Sequence, residues 1–234
     1  MKRTVSILRR LFDFLSPRAC VVCGCRLGIT EEVLCTSCNF LLPRTHYDKD
    51  FYENNMAKLF WVQMPIERAM ALIFYEPHSR VSNIVYALKY GNHPEIGEFI
   101  GRMMAAELIT KGFFDGIDMI VPVPLSKKRL RKRGYNQSEM IARGIKNITG
   151  IPVVTDIVRR NVFVESQTHK DRWQRHDNVD GVFSLCGNAD VAGKHILIVD
   201  DVVTTGSTII SCAGAISRGR NVKFSVLSFG YAKG

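Results

Sequence analysis

The sequence lacks any apolar run near the roughly 18 residues that a membrane-spanning helix needs, which argues against an integral membrane protein. Segment 1–15 carries basic side chains but no continuous apolar core and no small-residue cleavage site, so we expect no secretory signal peptide. Its apolar residues instead recur at helical spacing, which favours a docking helix over a membrane-surface helix. Internal repeats and low-complexity segments are also lacking, which argues against a repeat architecture.

Acidic residues are scarce relative to basic ones, at 22 against 32, and the net charge is +10. This excess favours polyanionic partners, either nucleic acid or phosphorylated small molecules. Six cations are concentrated in segment 127–133, namely Lys127, Lys128, Arg129, Arg131, Lys132 and Arg133. A solvated charged loop and a specific polyanion contact both explain this run.

What is present describes a globular protein with a substantial core. The chain has 234 residues, 46% of them hydrophobic, and its mean hydropathy is +0.00. This length holds one large domain, or one domain with a small appendage. We expect a module at 1–45 and a main domain spanning 46–234, with 46–68 forming a linker and the edge of the main domain.

Alternating helical and strand patterns predict an α/β fold with a mostly parallel sheet flanked by helices. The predicted strands are 69–75, 119–123, 151–154, 179–185, 196–199 and 222–229, and the predicted helices follow 81–88, 96–108, 138–148 and 209–216.

The most informative stretch follows the predicted strand 196–199, whose four apolar residues fit a strand buried on both faces. Asp200 and Asp201 come at its carboxyl end, where open α/β sheets bind ligands. A small, hydroxyl-rich turn then leads into a helix, with the residues Thr204, Thr205, Gly206, Ser207 and Thr208. Backbone N–H groups at such a helix N-terminus favour a phosphate, whereas two carboxylates suit sugar hydroxyls or a metal. The pattern therefore predicts a sugar-phosphate site.

Cysteine is concentrated near the N-terminus in two CxxC pairs, Cys20 with Cys23 and Cys35 with Cys38, separated by eleven residues. Four thiolates at this spacing predict a structural Zn²⁺ site, and Cys25 is interpreted as a spare thiol. Disulfides are the alternative. A phosphate site implies a reducing, nucleotide-rich compartment, so we expect thiols and a cytoplasmic location.

The acid pair and turn resemble the signature of type I phosphoribosyltransferases, which bind phosphoribosyl pyrophosphate (PRPP). Together with the CxxC pairs and the segments 88–91, 121–137 and 167–183, the chain is similar to the ComF family, the ComFC/GntX-like proteins. The resemblance implies a type I phosphoribosyltransferase fold with an N-terminal zinc finger, and a role in DNA uptake during natural transformation. It also implies that the acid pair contacts the ribose hydroxyls and that the turn wraps the 5′-phosphate.

The resemblance further implies a pyrophosphate contact and a lid over the bound PRPP. Lys127 and Lys128 are candidates for the pyrophosphate, and Mg²⁺ would bridge the pyrophosphate and the ribose hydroxyls. Segment 166–178 corresponds to the lid, and Gln167 in it is a candidate PRPP contact. The catalytic candidates are Arg175 of this segment and the two acids, Asp200 and Asp201. His169 and Lys170 depart from the family pattern there. For nucleic acid, the candidates are Arg129, Arg131, Lys132 and Arg133.

Three functions remain open from the residues. The chain is an active phosphoribosyltransferase acting on an unidentified acceptor, or a protein that handles single-stranded DNA and carries a PRPP site, or a PRPP-binding regulator without catalysis. The extra cysteine module and the net charge of +10 favour a polyanion partner besides a small molecule. We favour a PRPP-binding protein of DNA transformation, with turnover undecided.

Overall fold

The computed structural model describes residues 18–161, 181–186, 190–218 and 220–232. The strands are β1 (Ile66–Phe74), β2 (Met119–Pro122), β3 (Val158–Arg160), β4 (Phe183–Leu185), β5 (His195–Val203) and β6 (Lys223–Tyr231). Four of them form a parallel sheet in the order β1-β6-β5-β2, and β3 pairs with β4 in a separate antiparallel ribbon. The predicted α/β architecture with a parallel sheet is confirmed.

Six α-helices accompany the strands in the described part of the chain. They are α1 (Thr36–Phe40), α2 (Ser82–Tyr90), α3 (Pro94–Leu108), α4 (Lys127–Arg133), α5 (Gln137–Thr149) and α6 (Ser207–Ser217). Short 3₁₀ helices lie at Tyr47–Lys49, Ala57–Leu59 and Ile109–Lys111. Among these described elements, none combines the length and apolar character needed to cross a membrane.

Strand β5 is buried on both faces, as its apolar run predicts. Leu197 and Val199 pack into a core shared with α2, α3 and α5. Ile196 and Ile198 point the other way, into a second core that includes α6. Burial of one such side chain stabilises the fold by roughly 1.5–3 kcal/mol. The central strand is therefore held rigidly up to the two acids at its end.

Helices α3 and α5 approach closely because each carries a glycine at the crossing. A Cβ on Gly101 would lie 2.0 Å from the carbonyl oxygen of Ile141, and one on Gly144 would lie 2.1 Å from that of Glu98. Any larger residue would push the two helices apart. The close approach fixes the position of α5, whose N-terminal end reaches the sheet edge where β5 ends.

Segment 46–68, expected to form a linker and the edge of the main domain, contributes residues to the core of that domain. Met56, Ala57 and Phe60 are completely buried, and they pack in the same core as Ile196 and Ile198. The spacing of apolar residues in this segment predicts neither an α-helix nor a strand, because the segment contains short 3₁₀ helices, which lack the 3.6-residue period.

The predicted strand at 151–154 is reduced to a single bridge. Val153 pairs in parallel with Ile120 of β2 and extends no further. The amide of Ile120 donates to the carbonyl of Pro152, and the amide of Val154 donates to the carbonyl of Ile120. The segment is extended as expected, but it is too short to add a strand.

The cysteine-rich module shares its core with the main body. Leu27, Leu34 and Leu42 belong to the same buried cluster as Leu72 of β1. Two ion pairs tie the module to α3: Arg44 with Glu107 at 2.7 Å, and Arg102 with Glu32 at 2.5 Å. The predicted helix within segment 1–15 lies outside the described residues, and a boundary near residue 45 stays a prediction.

Candidate sugar-phosphate site

The parallel pairing of β2 with β5 brings two loops to one edge of the sheet. Val121 lies opposite Ile198, and Pro122 lies opposite Val199. The ladder continues one residue further, because the amide of Val123 donates to the carbonyl of Val199 at 2.9 Å. The loop after β2 therefore leaves the sheet beside the end of β5, as the sequence predicts.

Asp200 and Asp201 lie together at this edge and are held by different partners. Successive strand residues face opposite sides, so the two carboxylates flank the end of β5. The Ser138 hydroxyl, at the start of α5, donates to Oδ1 of Asp200 at 3.0 Å. Oδ2 of Asp201 pairs with the ammonium of Lys89, at the end of α2, at 3.0 Å.

The environment of Asp200 favours its neutral form. Burial, and then the adjacent charge of Asp201, raise the pKa of Asp200 to about 7, against the smaller opposing effects of its hydrogen bonds and of Lys89. A carboxyl with this pKa is partly protonated at neutral pH, so it can accept or donate a hydrogen bond. Perturbed acids of this kind concentrate at functional sites.

The turn after β5 leads directly into the N-terminus of α6. Gly206 is the residue before the helix and has a φ of +76°, a conformation that glycine adopts without strain. The Thr205 hydroxyl oxygen accepts from the amide of Ser207 at 3.4 Å. Thr204, Thr205 and Ser207 are exposed, so their hydroxyls face solvent beside the first N–H groups of the helix. This arrangement is typical of an anion site.

Gly206 has a second constraint that the sequence does not reveal. A Cβ at this position would lie 2.9 Å from Cε1 of Phe60 and 3.5 Å from Cβ of Leu59. Phe60 is completely buried. The turn is therefore packed from behind by segment 46–68, which holds the N–H groups of the turn in place.

The basic segment 127–133 is a helix, not the loop that its charge suggests. Ser126 caps its start by accepting from the amide of Arg129, and Gly134, at a φ of +79°, ends it. Lysine and arginine are good helix formers, and cations in the last turn favour the helix dipole. The capping residues Ser126 and Gly134 therefore stabilise a helix in this segment despite its high density of positive charge.

Most of the basic side chains on α4 face solvent. Exposed residues are Lys127, Lys128, Arg129, Arg131 and Lys132, whereas Arg133 is half-buried. No described contact joins Lys127 or Lys128 to the acid pair, so their pyrophosphate role stays a prediction. Arg133 donates to Oε1 of Gln137 at 2.7 Å, and its guanidinium lies 5.6 Å from the centre of the Tyr90 ring.

Segment 133–137 holds the loop in place rather than presenting free ligands. The Tyr135 hydroxyl donates to the carbonyl of Leu88 at 2.6 Å. The Asn136 side-chain amide donates to the carbonyl of Val123 at 3.0 Å, and its oxygen accepts from the amide of Ser138. These bonds tie the end of α2, the loop after β2 and the start of α5 together. They place Lys89 and Ser138 against the two acids.

Three residues that bond to the acids or interact with their charge are outside the predicted site set. From the sequence alone, Lys89 is equally plausible as a solvated lysine at a helix end and as a phosphate ligand. Ser138 belongs to no sequence pattern that predicts a role in the site. Arg160 ends β3, where burial and the nearby charge of Arg129 lower its pKa while Asp200 opposes the shift. Asp200 therefore has cations as neighbours that only the fold brings to it.

The four predicted metal ligands are brought together. The Sγ atoms of Cys20, Cys23, Cys35 and Cys38 all lie within 4.8 Å of one another. Those of Cys23 and Cys35 are 3.8 Å apart, and sulfurs at the corners of a zinc tetrahedron are about 3.8 Å apart. Hydrogen bonds from the backbone and thiol of Cys25 lower the pKa of Cys23 to about 6. The donor set and spacing fit a zinc ion.

Cys25 lies beside this cluster, with its Sγ 3.2 Å from that of Cys23. It is exposed and is not among the four mutually close ligands. Other predicted site residues, Gln167 and Arg175 of the expected lid, fall outside the described part of the chain.

Comparison with known proteins finds relatives along most of the chain. The DNA utilization protein YhgH of Salmonella typhimurium is 31% identical over 157 residues, covering 66% of this chain and 67% of that protein. YhgH of Escherichia coli is 29% identical over 202 residues, covering 85% and 84%. Competence protein F of Haemophilus influenzae is 25% identical over 202 residues, covering 81% and 86%. No protein-family model matches.

Among solved structures, the similarities are to phosphoribosyltransferases but are weak. A hypoxanthine phosphoribosyltransferase from Staphylococcus aureus matches 58% of this chain and 62% of that chain, with a TM-score of 0.34 and 15% identity. An adenine phosphoribosyltransferase from Leishmania tarentolae matches 77% and 88%, with a TM-score of 0.35 and 11% identity. Likenesses of this size establish nothing about activity, so the chemistry rests on the geometry of the site.

Proposed function

The chain belongs to the ComF/YhgH family of competence and DNA utilization proteins, and from this we propose that it binds PRPP at the end of β5 and handles single-stranded DNA during uptake. One observation carries the PRPP assignment. Two carboxylates lie within the last four residues of β5, and a turn of hydroxyl and N–H donors at a helix N-terminus follows the strand. A sugar phosphate offers the hydroxyls and the phosphate that such a site would bind.

Each part of PRPP has a partner of suitable chemistry. The turn from Thr204 to Thr208 would bind the 5′-phosphate through N–H groups and hydroxyls. The acid pair would accept hydrogen bonds from the ribose 2′- and 3′-hydroxyls. The pyrophosphate would lie toward the loop after β2 and the start of α4, where Lys127 and Lys128 are exposed. Arg160, whose pKa responds to the charge of Asp200, would add positive charge.

Two metal ions belong to this proposal. Zn²⁺ would be bound by the four clustered thiolates and would stabilise the N-terminal module. Mg²⁺ prefers oxygen ligands, and both described hydrogen bonds to Asp200 end on Oδ1, so Oδ2 has no described hydrogen-bond partner. When bound, Mg²⁺ would neutralise charge on the pyrophosphate. The thiolates and the phosphorylated ligand favour a cytoplasmic location.

Catalytic transfer of the ribose 5-phosphate unit is the second candidate function. The observation that favours it is the position of Asp200 near the end of β5, where its carboxyl accepts from Ser138 at 3.0 Å and burial raises its pKa to about 7. In such a transfer the C1–O bond breaks with its electron pair leaving on pyrophosphate, the acceptor bonds to C1, and the acceptor's proton moves to the Asp200 carboxylate. A carboxyl that titrates near the working pH suits that role.

Thermal unfolding with added ligands tests the proposal. PRPP with Mg²⁺ at a hundredfold excess over its dissociation constant should stabilise the chain by about 2.7 kcal/mol, raising its melting temperature by roughly 5–10 °C. Ribose 5-phosphate, which lacks the pyrophosphate, should give a smaller rise. Equal shifts with PRPP and inorganic phosphate would contradict ribose recognition. Pyrophosphate release on adding candidate acceptors would decide between binding and turnover.

A further inference from the structure

A concave surface adjoins the acid pair through Lys89 and includes three of the basic residues that are candidates for nucleic acid. It lies between the end of α2 and the end of α4, and has a cavity volume of about 370 Å³, at the small end for ligand clefts. We call it the α2–α4 groove. Its lining residues are Lys89, Tyr90, Asn92, Arg131, Lys132, Arg133 and Gly134.

Two exposed tyrosines lie at or beside this groove, because Tyr90 lines it and Tyr86 precedes it on α2. Tyr86 and Tyr90 are one helical turn apart on α2, so they share a face. They are 67% and 56% exposed, and their ring centres lie 4.9 Å apart. Large exposed aromatic side chains that lie together mark an interaction site more often than scattered ones do. A free phosphate or a metal ion would not stack on the aromatic rings.

The charge of the α2–α4 groove is of one sign. It contains four cations and no carboxylate among its lining residues. Arg131 and Lys132 are exposed, and no described acidic side chain pairs with either. Arg133 lies over the ring of Tyr90 with its guanidinium carbon 5.6 Å from the ring centre. A polyanion with flat, unsaturated groups would satisfy both the cations and the rings.

We propose that the α2–α4 groove binds single-stranded DNA, with bases stacked on Tyr86 and Tyr90 and phosphates held by Arg131 and Lys132. This rests on the proposed role in DNA handling and gives it a location. Stacking needs unpaired bases, which a single strand exposes and a duplex buries. The groove also adjoins the PRPP site, because Lys89 lines it and pairs with Asp201 at 3.0 Å.

Fluorescence anisotropy of a labelled oligodeoxynucleotide of about 20 nucleotides, titrated with the full zinc-loaded chain, tests this proposal. The double variant Tyr86→Ala/Tyr90→Ala should lose at least tenfold in affinity. The double variant Tyr86→Phe/Tyr90→Phe keeps the rings and should stay within about twofold of wild type. Tyr52 is a tyrosine outside the groove that is 53% exposed, and Tyr52→Ala should leave the affinity for the oligodeoxynucleotide unchanged. Unchanged melting temperatures would show that the variants are folded.

Matched probes separate stacking from charge. An abasic strand of equal length keeps the phosphates, and its binding should not distinguish wild type from the alanine variant. Loss of affinity in the alanine variant for the abasic strand, or equal binding of the normal strand by both proteins, would overturn the groove assignment while leaving DNA handling intact. An RNA of the same sequence binding tenfold more tightly would overturn the choice of DNA. No binding of any strand by wild type would refute the proposed DNA role itself.

Discussion

Asp200 provides a prediction in which stability and ligand binding change in opposite directions. Burial and Asp201 raise its pKa from 3.8 to about 7. Between these two values the folded chain keeps a proton that the unfolded chain releases. The free energy of unfolding therefore falls as the pH rises through this window, and the loss persists above about pH 7.

Asp200→Asn removes this titration and keeps an oxygen that can accept from Ser138. A pKa shift of about three units corresponds to a change of at most about 4 kcal/mol in the free energy of unfolding. Because Asp200 keeps partial contact with solvent, we expect about half of that, roughly 2 kcal/mol of added stability near pH 8 and a melting temperature higher by about 4–8 °C. The gain should shrink toward pH 4.5, where the wild-type carboxyl is protonated in the folded state. PRPP binding should weaken in the same variant.

Urea unfolding without PRPP, measured between about pH 4.5 and pH 8, checks this prediction. Asp201→Asn is the comparison variant, because it removes the neighbouring charge that helps to raise the pKa of Asp200 as well as the partner of Lys89. Its stability should depend less steeply on pH than that of wild type. A stability difference between Asp200→Asn and wild type that does not change with pH would refute the electrostatic argument. So would an Asp200→Asn variant less stable than wild type near pH 8.

Three further predictions concern the cysteines, the basic helix and the turn. Cys25→Ser should retain one zinc per chain by metal analysis, whereas Cys23→Ser should lose it; the reverse result would reassign the ligands. Neutralising Arg131 and Lys132 to Gln should reduce the log–log salt slope of single-strand binding by about 0.7 for each DNA phosphate that the variant no longer binds; an unchanged slope would move the DNA surface to the cysteine module. Gly206→Val should lower the melting temperature as well as phosphate affinity, because its Cβ would meet Phe60 at 2.9 Å; a fully stable variant would contradict the packing described.

Much of the site could be predicted because its residues are contiguous in sequence. A run of four apolar residues, two acids and a small turn has few other interpretations. The turn and α6 occur where expected, although β5 continues past the two acids to Val203. The CxxC spacing likewise predicts the cluster of four sulfurs. Local patterns predict local structure well when each position is strongly constrained.

The residues that escape prediction are joined to the site only through the fold. Ser138 is 62 positions from Asp200, and its hydroxyl becomes a partner because α3 and α5 cross closely at Gly101 and Gly144. The basic helix resembles a loop in sequence because its charge density obscures the caps Ser126 and Gly134. In each case the deciding interaction is a cap or a packing contact, which composition does not report.

Calorimetric titration of the zinc-loaded chain with PRPP and Mg²⁺ is the most direct test of the account. Wild type should bind one PRPP per chain. Asp201→Asn should weaken that binding by about 10- to 100-fold, because each charge-assisted hydrogen bond to a ribose hydroxyl contributes roughly 1.5–3 kcal/mol. The affinity for inorganic phosphate should be nearly the same in both proteins. An absence of PRPP binding, or equal PRPP affinity in the two proteins, would contradict the assignment of the acid pair to ribose.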